Sequence, residues 1–273
     1  MEVASAGITE LELELFRVGE STTSTLRGLL RIIAAMYSGT GIYTLSEASR
    51  LINVPARKIH RWLYGYSYPK KSGEGAVQAF FAPLWLPQVS KDEYDAEVIG
   101  FNDLLEVRFV AAFVEHGVPL LVVRRCLETA RELFGADYPM TSGSFKTDGK
   151  TIFADALEKS AKEGVLLDLK NRQLAFKDII NPSLYAGIEY DGKRASKWYP
   201  QGRRQHIVLD PSRQFGSPIL EEAGIPTDVL YASYLAEGAT PQAVTQTARV
   251  YEAPAKLVEA AIRFEQGLKR TFH

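Results

Sequence analysis

One segment limits what this chain can fold into more than any other: Tyr43 to Lys71, YTLSEASRLINVPARKIHRWLYGYSYPKK. Thr44 and Glu47 have the spacing of a capping box, in which the Thr hydroxyl takes one orphan amide and the Glu carboxylate reaches back to another. The spacing predicts a helix from Leu45. Leu45, Ala48, Leu51 and Ile52 recur at helical period, and the small Ala48 leaves room for a crossing helix. Asn53-Val54-Pro55 then predicts a tight connection, because Asn tolerates turn geometry and Pro fits the first position of a following helix, where its missing N–H costs nothing. Two short helices joined in this way form an angled pair.

Laid out at ~100° per residue, the second helix gathers Pro55, Ile59, Trp62 and Leu63 on one side. Arg57 and Arg61 fall opposite, with Lys58 and His60 on the flanks. From Arg50 to Lys71 the stretch carries Arg50, Arg57, Lys58, Arg61, Lys70 and Lys71 and no Asp or Glu. Such a patch attracts phosphate, and a helix has the right width for the major groove. The segment therefore predicts a DNA-reading helix-turn-helix followed by a basic loop. Arg57, Lys58, His60 and Arg61 would enter the major groove, while Thr44, Ser46, Tyr66, Lys70 and Lys71 hold backbone phosphates. Tyr64, Tyr66 and Tyr68 suit either phosphate contact and stacking or ordinary packing. The bland alternative is a structural helical hairpin with a solvated basic face. Cap, small crossing residue, turn, aromatic anchor and acid-free face in one segment argue against it.

With 32 Lys and Arg against 33 Asp and Glu, the net charge is -1, so nucleic-acid binding has to rest on a local patch. The asymmetry is visible in Asp92, Glu93, Asp95, Glu97, Asp103 and Glu106, which follow the basic stretch. The single Cys126 excludes an internal disulfide and a thiolate-rich zinc site. His60, His116, His206 and His273 share no metal-ligand spacing, so no metal or other cofactor is expected. There is no leader-like start and no run of the ~18 apolar residues that a membrane span needs, which makes a cytoplasmic protein the expectation.

A chain of 273 residues suggests more than one domain. Glu10 to Phe16 alternates like a strand, and Ser21 to Tyr37 reads as a helix with Leu26, Leu29, Leu30, Ile33 and Met36 on an apolar face. Phe80 to Leu86 suits a short strand, a candidate wing. Phe101-Asn102-Asp103 caps a helix that Gly117 ends, and Val118-Pro119 begins another that Gly135 closes.

The stretches GIYTLSEASRLINVPARKIHRWLYG and IGFNDLLEVRFVAAFVEHGVPLLVVRRCLETARELFG resemble the helix-turn-helix and following helix pair of MerR-like regulators. With YPMTSGSFKTDGKTIF, KNRQLAFKDII, KWYP, IVLDPSRQFGSPIL and GIPTDVLYASYLAEGATPQAVTQTARVYEAPAKLVEAAIRFE, the chain more closely resembles VapB-type antitoxin-like proteins, which join such a head to a C-terminal domain-of-unknown-function module. The resemblance runs over residues 38 to 267. It implies an autorepressor of a type II toxin-antitoxin operon whose partner is a PIN-domain ribonuclease toxin. A homodimer would set two heads on a palindromic site in its own promoter. A MerR-like sensor of a small molecule and a scaffold that does not bind DNA are the alternatives.

The remaining chain divides by its turn signals into a β-rich middle module, 138–201, and a C-terminal three-helix module, 202–273, after an arm at 1–40 and the head at 41–137. Thr147-Asp148-Gly149 and Lys170-Asn171-Arg172 mark two hairpins, and Asp191-Gly192 marks a further turn. Ile207-Val208-Leu209 reads as a strand. Helices start at Ile225-Pro226-Thr227, at Thr240-Pro241 and at Ala253-Pro254. Their outline repeats a helix-turn-helix and offers Thr240, Gln242, Thr245, Gln246 and Arg249 as a possible second DNA or protein contact. The fold expected is α+β, mainly α. No nucleophile elbow, phosphate-cradling loop or paired-carboxylate motif is present, so no enzyme is expected.

Overall fold

A computed structural model describes residues 39–72, 75–90, 96–162 and 182–270. The strand expected at 10–16, the helix at 21–37 and the hairpin around 170–172 lie outside the described residues.

The head opens with β1 (Tyr43–Thr44), α1 (Leu45–Ile52) and α2 (Ala56–Tyr64), followed by a hairpin of β2 (Tyr66–Ser72) and β3 (Gly75–Phe81). The short β4 (Val98–Ile99) returns to pair antiparallel with β1, closing the head on itself. The segment expected as a basic loop is thus a strand, and the strand expected at Phe80–Leu86 lies earlier in the chain. The reason is register: Tyr66 to Ser72 pairs residue for residue with Phe81 back to Gly75, which satisfies backbone groups that an open loop would leave to water.

Three long helices follow: α3 (Phe101–Glu115), α4 (Leu120–Phe134) and α5 (Gly143–Lys162). Helix α3 is apolar around most of its circumference, with Phe101, Leu104, Leu105, Phe109, Val110 and Phe113 all buried. A helix of that kind belongs in a core. The hairpin expected around Thr147-Asp148-Gly149 is instead the interior of α5. Phe145, Ile152, Phe153, Ala156 and Leu157 are buried at helical spacing, and that periodicity outweighs the Asp-Gly turn signal. Gly149 serves packing here, because a Cβ at that position would sit 2.8 Å from the Phe145 ring.

After the short α6 (Pro182–Tyr185), a four-stranded antiparallel sheet runs β5 (Ile188–Asp191), β6 (Arg194–Trp198), β7 (Ile207–Leu209) and β8 (Pro218–Leu220) in chain order. The Asp191-Gly192 turn and the strand at 207–209 are where the sequence placed them. The sheet crosses the boundary expected at 201/202, so the middle and C-terminal segments share one β layer. Three helices, α7 (Thr227–Ala236), α8 (Pro241–Val250) and α9 (Ala255–Arg270), pack over a second apolar cluster that includes Ile207, Leu220, Leu230, Val258 and Phe264.

The loop between β7 and β8 fixes the start of the head. Gly39 N–H donates to Pro211 O at 3.1 Å and Ile42 N–H to Phe215 O at 2.9 Å. The buried Tyr43 hydroxyl donates to Gly216 O at 2.7 Å. Gly216 has φ +83, and a Cβ there would meet that hydroxyl at 2.5 Å, so glycine is needed for both conformation and space.

Candidate nucleic-acid interface

The capping box predicted at Thr44 is formed. Thr44 N–H donates to Glu47 Oε2 at 2.8 Å, and Glu47 N–H donates to Thr44 Oγ1 at 3.2 Å. Helix α1 ends at Asn53, which adopts φ 53 and ψ 43, a left-handed conformation that Asn tolerates better than most residues. Val54 N–H then reaches Ser49 O, and Pro55 O accepts from Lys58 and Ile59 at 2.8 and 3.2 Å. The turn rotates the chain into α2, which buries Ile59, Trp62 and Leu63. Ala48, with no exposed surface, lets the two helices approach.

Burying that stripe leaves the cationic residues outside. Arg57 and Lys58 are exposed on α2, and Thr44 and Ser46 are at the start of α1, Thr44 exposed. Arg61 is half-buried, with its guanidinium 3.6 Å from the centroid of the Tyr66 ring. Tyr66 in turn stacks on Phe81 at 5.3 Å, and Arg124 of α4 lies 4.6 Å from the Phe81 ring. Contacts of this kind contribute about 0.5–1 kcal/mol each at exposed sites. Their greater effect is geometric, since they tie α2, the β2–β3 hairpin and α4 into one stack. In the wing, Tyr66, Tyr68 and Lys70 lie opposite Phe81, Ala79 and Val77, and directly opposed residues share one face of a hairpin. Tyr68 and Lys70 are therefore on the face that carries Tyr66 and Arg61, and both are exposed. Lys71 continues β2 by its backbone.

Of the predicted residues, Arg57, Lys58, His60 and Arg61 lie on α2, Tyr66, Lys70 and Lys71 in the wing, and Thr44 and Ser46 at the start of α1; His60 differs from the others on α2. Its Nε2 lies 3.1 Å from Glu97 Oε1, so the ring is already held by an acid that the sequence showed only as part of a later run. Arg124 was missed. It sits next to Arg125 on a helix read for its apolar stripe, and it donates from Nη1 to Pro83 O at 2.9 Å. An adjacent pair of arginines flanking a buried stripe was the available signal.

Thr240, Gln242, Gln246 and Arg249 are exposed on and just before α8, and Thr240 caps that helix by accepting from Ala243 N–H at 3.2 Å. The geometry changes the role of α8. After it, Glu252 takes φ 51, Ala253 N–H reaches Ala248 O, and Pro254 O accepts from Leu257 and Val258 at 2.8 and 3.1 Å. These bonds repeat those that Val54 N–H and Pro55 O make in the Asn53-Val54-Pro55 connection. Helix α8 thus matches α1, and α9 matches α2. Where α2 presents Arg57, Lys58 and Arg61, α9 has Lys256 together with Leu257 and Ala260, which are buried. The second helix-turn-helix keeps the turn and lacks the cationic face.

Electrostatics inside the head are set by two carboxylates on α3. Asp103, with no exposed surface, accepts from Trp85 Nε1 at 2.7 Å and from the N–H groups of Gln88 and Gly100, both at 2.9 Å. It thereby ties the segment after the wing to α3, and burial raises its pKa above the usual carboxylate range. Glu106, one turn on, accepts from Met140 and Thr141 N–H at 3.0 Å each. Among the described residues no cluster of His, Cys, Asp and Glu is arranged to hold a metal, and no helix is long and apolar enough to cross a membrane.

Residues 41–127 match a family described as "Putative DNA-binding HTH domain", which gives the class of the head: a helix-turn-helix DNA-binding domain. Over 213 residues the chain is 30% identical to a protein of Mycobacterium tuberculosis named "Putative antitoxin VapB45", covering 74% of this chain and 86% of that one. The chain belongs to this VapB-like antitoxin family. The crystal structure of Rv2018 from M. tuberculosis superposes with a TM-score of 0.56 at 23% identity, over 81% of this chain and 96% of that one, which shows a shared fold.

Proposed function

We propose that this protein is a sequence-specific, MerR-like transcriptional autorepressor of a type II toxin-antitoxin operon, acting in the cytoplasm. The observation that carries the reading is the exposed, acid-free cationic face of α2 set beside a wing whose Tyr66 holds Arg61 in place. Arg57, Lys58 and Arg61 enter the major groove, with His60 at the edge of the contact where Glu97 holds it. Thr44, Ser46, Tyr66, Lys70 and Lys71 contact phosphates. A homodimer sets two heads on a palindrome with half-sites ~34 Å apart, and occupancy of the promoter blocks transcription. The name of the M. tuberculosis relative supports the antitoxin role, and the partner is a PIN-domain ribonuclease toxin whose activity the protein masks. Thr240, Gln242, Gln246 and Arg249, on a helix pair without a cationic second helix, serve that protein contact in preference to DNA.

Replacing Arg57 or Arg61 by Ala should cost ~1–3 kcal/mol of operator binding and relax specificity at one base pair, whereas Lys70→Ala should weaken all sequences alike. Unchanged operator affinity in the Arg57→Ala, Arg61→Ala double variant, measured by fluorescence anisotropy, would remove α2 as the reading helix.

A further inference from the structure

Behind the wing, the segment Trp85–Gln88 faces the turn of the β5–β6 hairpin across a cleft of about 460 Å³. Its charged groups are Arg131 from the last turn of α4, Arg194 from the start of β6, and Asp137. Beyond Asp137 and Tyr138, which line both spaces, a second cleft of about 320 Å³ leads to Lys193 and the start of α5. Both volumes fall in the small-ligand range of roughly 300–1,000 Å³.

Among the described residues the charges lining this cleft are not matched. Arg131 Nε donates to Asp137 O at 3.4 Å, but its Nη2 is buried without an acceptor. Folded proteins leave few such groups, because a buried donor without a partner forfeits its hydration. Glu106, whose charge Arg131 also feels, already accepts the two N–H groups of Met140 and Thr141. Arg131, Arg194 and Lys193 therefore face Asp137 as the one carboxylate lining the two clefts among the described residues. Planar guanidinium groups suit paired hydrogen bonds to an oxyanion. The walls are preformed, since Asp103 fixes the Trp85 ring through Nε1 and the Gln88 backbone through its N–H.

We propose that this cleft binds a small organic anion, its carboxylate or phosphate head between Arg131 and Arg194 and its apolar body against Trp85 and Tyr138. The site is separate from the cationic face of α2, so it stands or falls independently of the DNA reading. The test is isothermal titration of the full chain with benzoate and with phenyl phosphate, two probes that share a body and differ in the head. At least one should bind saturably with Kd below about 1 mM, and the stronger of the two identifies the head group. Arg194→Gln, an exposed substitution, should weaken that probe by about tenfold or more, and Arg131→Met should abolish its binding. No saturable binding of either probe to the unaltered protein, or undiminished binding to Arg194→Gln, would overturn the proposal.

Discussion

Glu106 gives this fold a pH dependence of a definite sign. Its carboxylate is fully buried on α3 and accepts the N–H groups of Met140 and Thr141. Burial pushes its pKa up from 4.5 to about 7, against the opposing pull of those N–H groups and of Arg131. Because the folded pKa lies above the unfolded one, the folded state holds the proton more tightly. Glu106 therefore contributes stability that is fully present below about pH 4.5 and lost as the pH rises through about 7. A tenfold difference in proton affinity between the folded and unfolded states is worth about 1.36 kcal/mol, so the loss between about pH 5 and about pH 8 is on the order of 2–3 kcal/mol. Asp103 is raised in the same direction, so the total slope belongs to both groups and a variant is needed to separate them. In Glu106→Gln a neutral amide with one acceptor faces the two backbone donors at every pH, as the protonated carboxyl of Glu106 does only toward the acid end. Urea unfolding of both proteins across this range should show the variant gaining on the unaltered protein by about 2–3 kcal/mol from the acid to the alkaline end. Parallel stability curves would refute the assignment.

Two further substitutions test the local architecture of the head. Thr44→Ala removes the N-cap acceptor of α1 and should cost about 1 kcal/mol in chemical denaturation; no change would mean that the capping box contributes nothing measurable. Gly65 joins α2 to the wing at φ +75, where a Cβ would come within 2.6 Å of Phe81 O. Gly65→Ala should therefore destabilise by roughly 1 kcal/mol or more and weaken operator binding by displacing the wing; full operator affinity in that variant would separate the wing from the interface.

The head was legible in the sequence because its signals are local. The Thr44–Glu47 box, the Asn53 turn and the opposition of Ile59, Trp62 and Leu63 to Arg57 and Lys58 each act within one or two helical turns, and the structure realises each of them. The same holds for Asp191-Gly192 and for Thr240-Pro241. Failures came where distant packing outvoted a local signal. Thr147-Asp148-Gly149 has turn chemistry, yet the helical period of Phe145, Ile152, Phe153, Ala156 and Leu157 buries α5 against α4, and Gly149 makes room for the Phe145 ring. Asp103 read as part of a cap, whereas its side chain also gathers Trp85 and Gln88 from a loop more than a dozen residues away. The pairing of His60 with Glu97, and the stacking of Arg61 and Arg124 on either end of the Tyr66–Phe81 pair, depend on where the wing folds back. No spacing along the chain encodes that. The second helix-turn-helix is visible in outline and its helices start where the sequence puts them, but the helix that matches α2 is α9, not the α8 that carries Thr240, Gln242, Gln246 and Arg249.

The decisive measurement is fluorescence anisotropy of the full chain on the DNA upstream of its own gene against a scrambled duplex, repeated across a salt series. Binding should be tight on the first, weaker on the second, and should fall steeply with salt on both as phosphate contacts are lost. Equal, weak binding to the two duplexes would contradict the autorepressor and leave the basic face of α2 as a solvated surface.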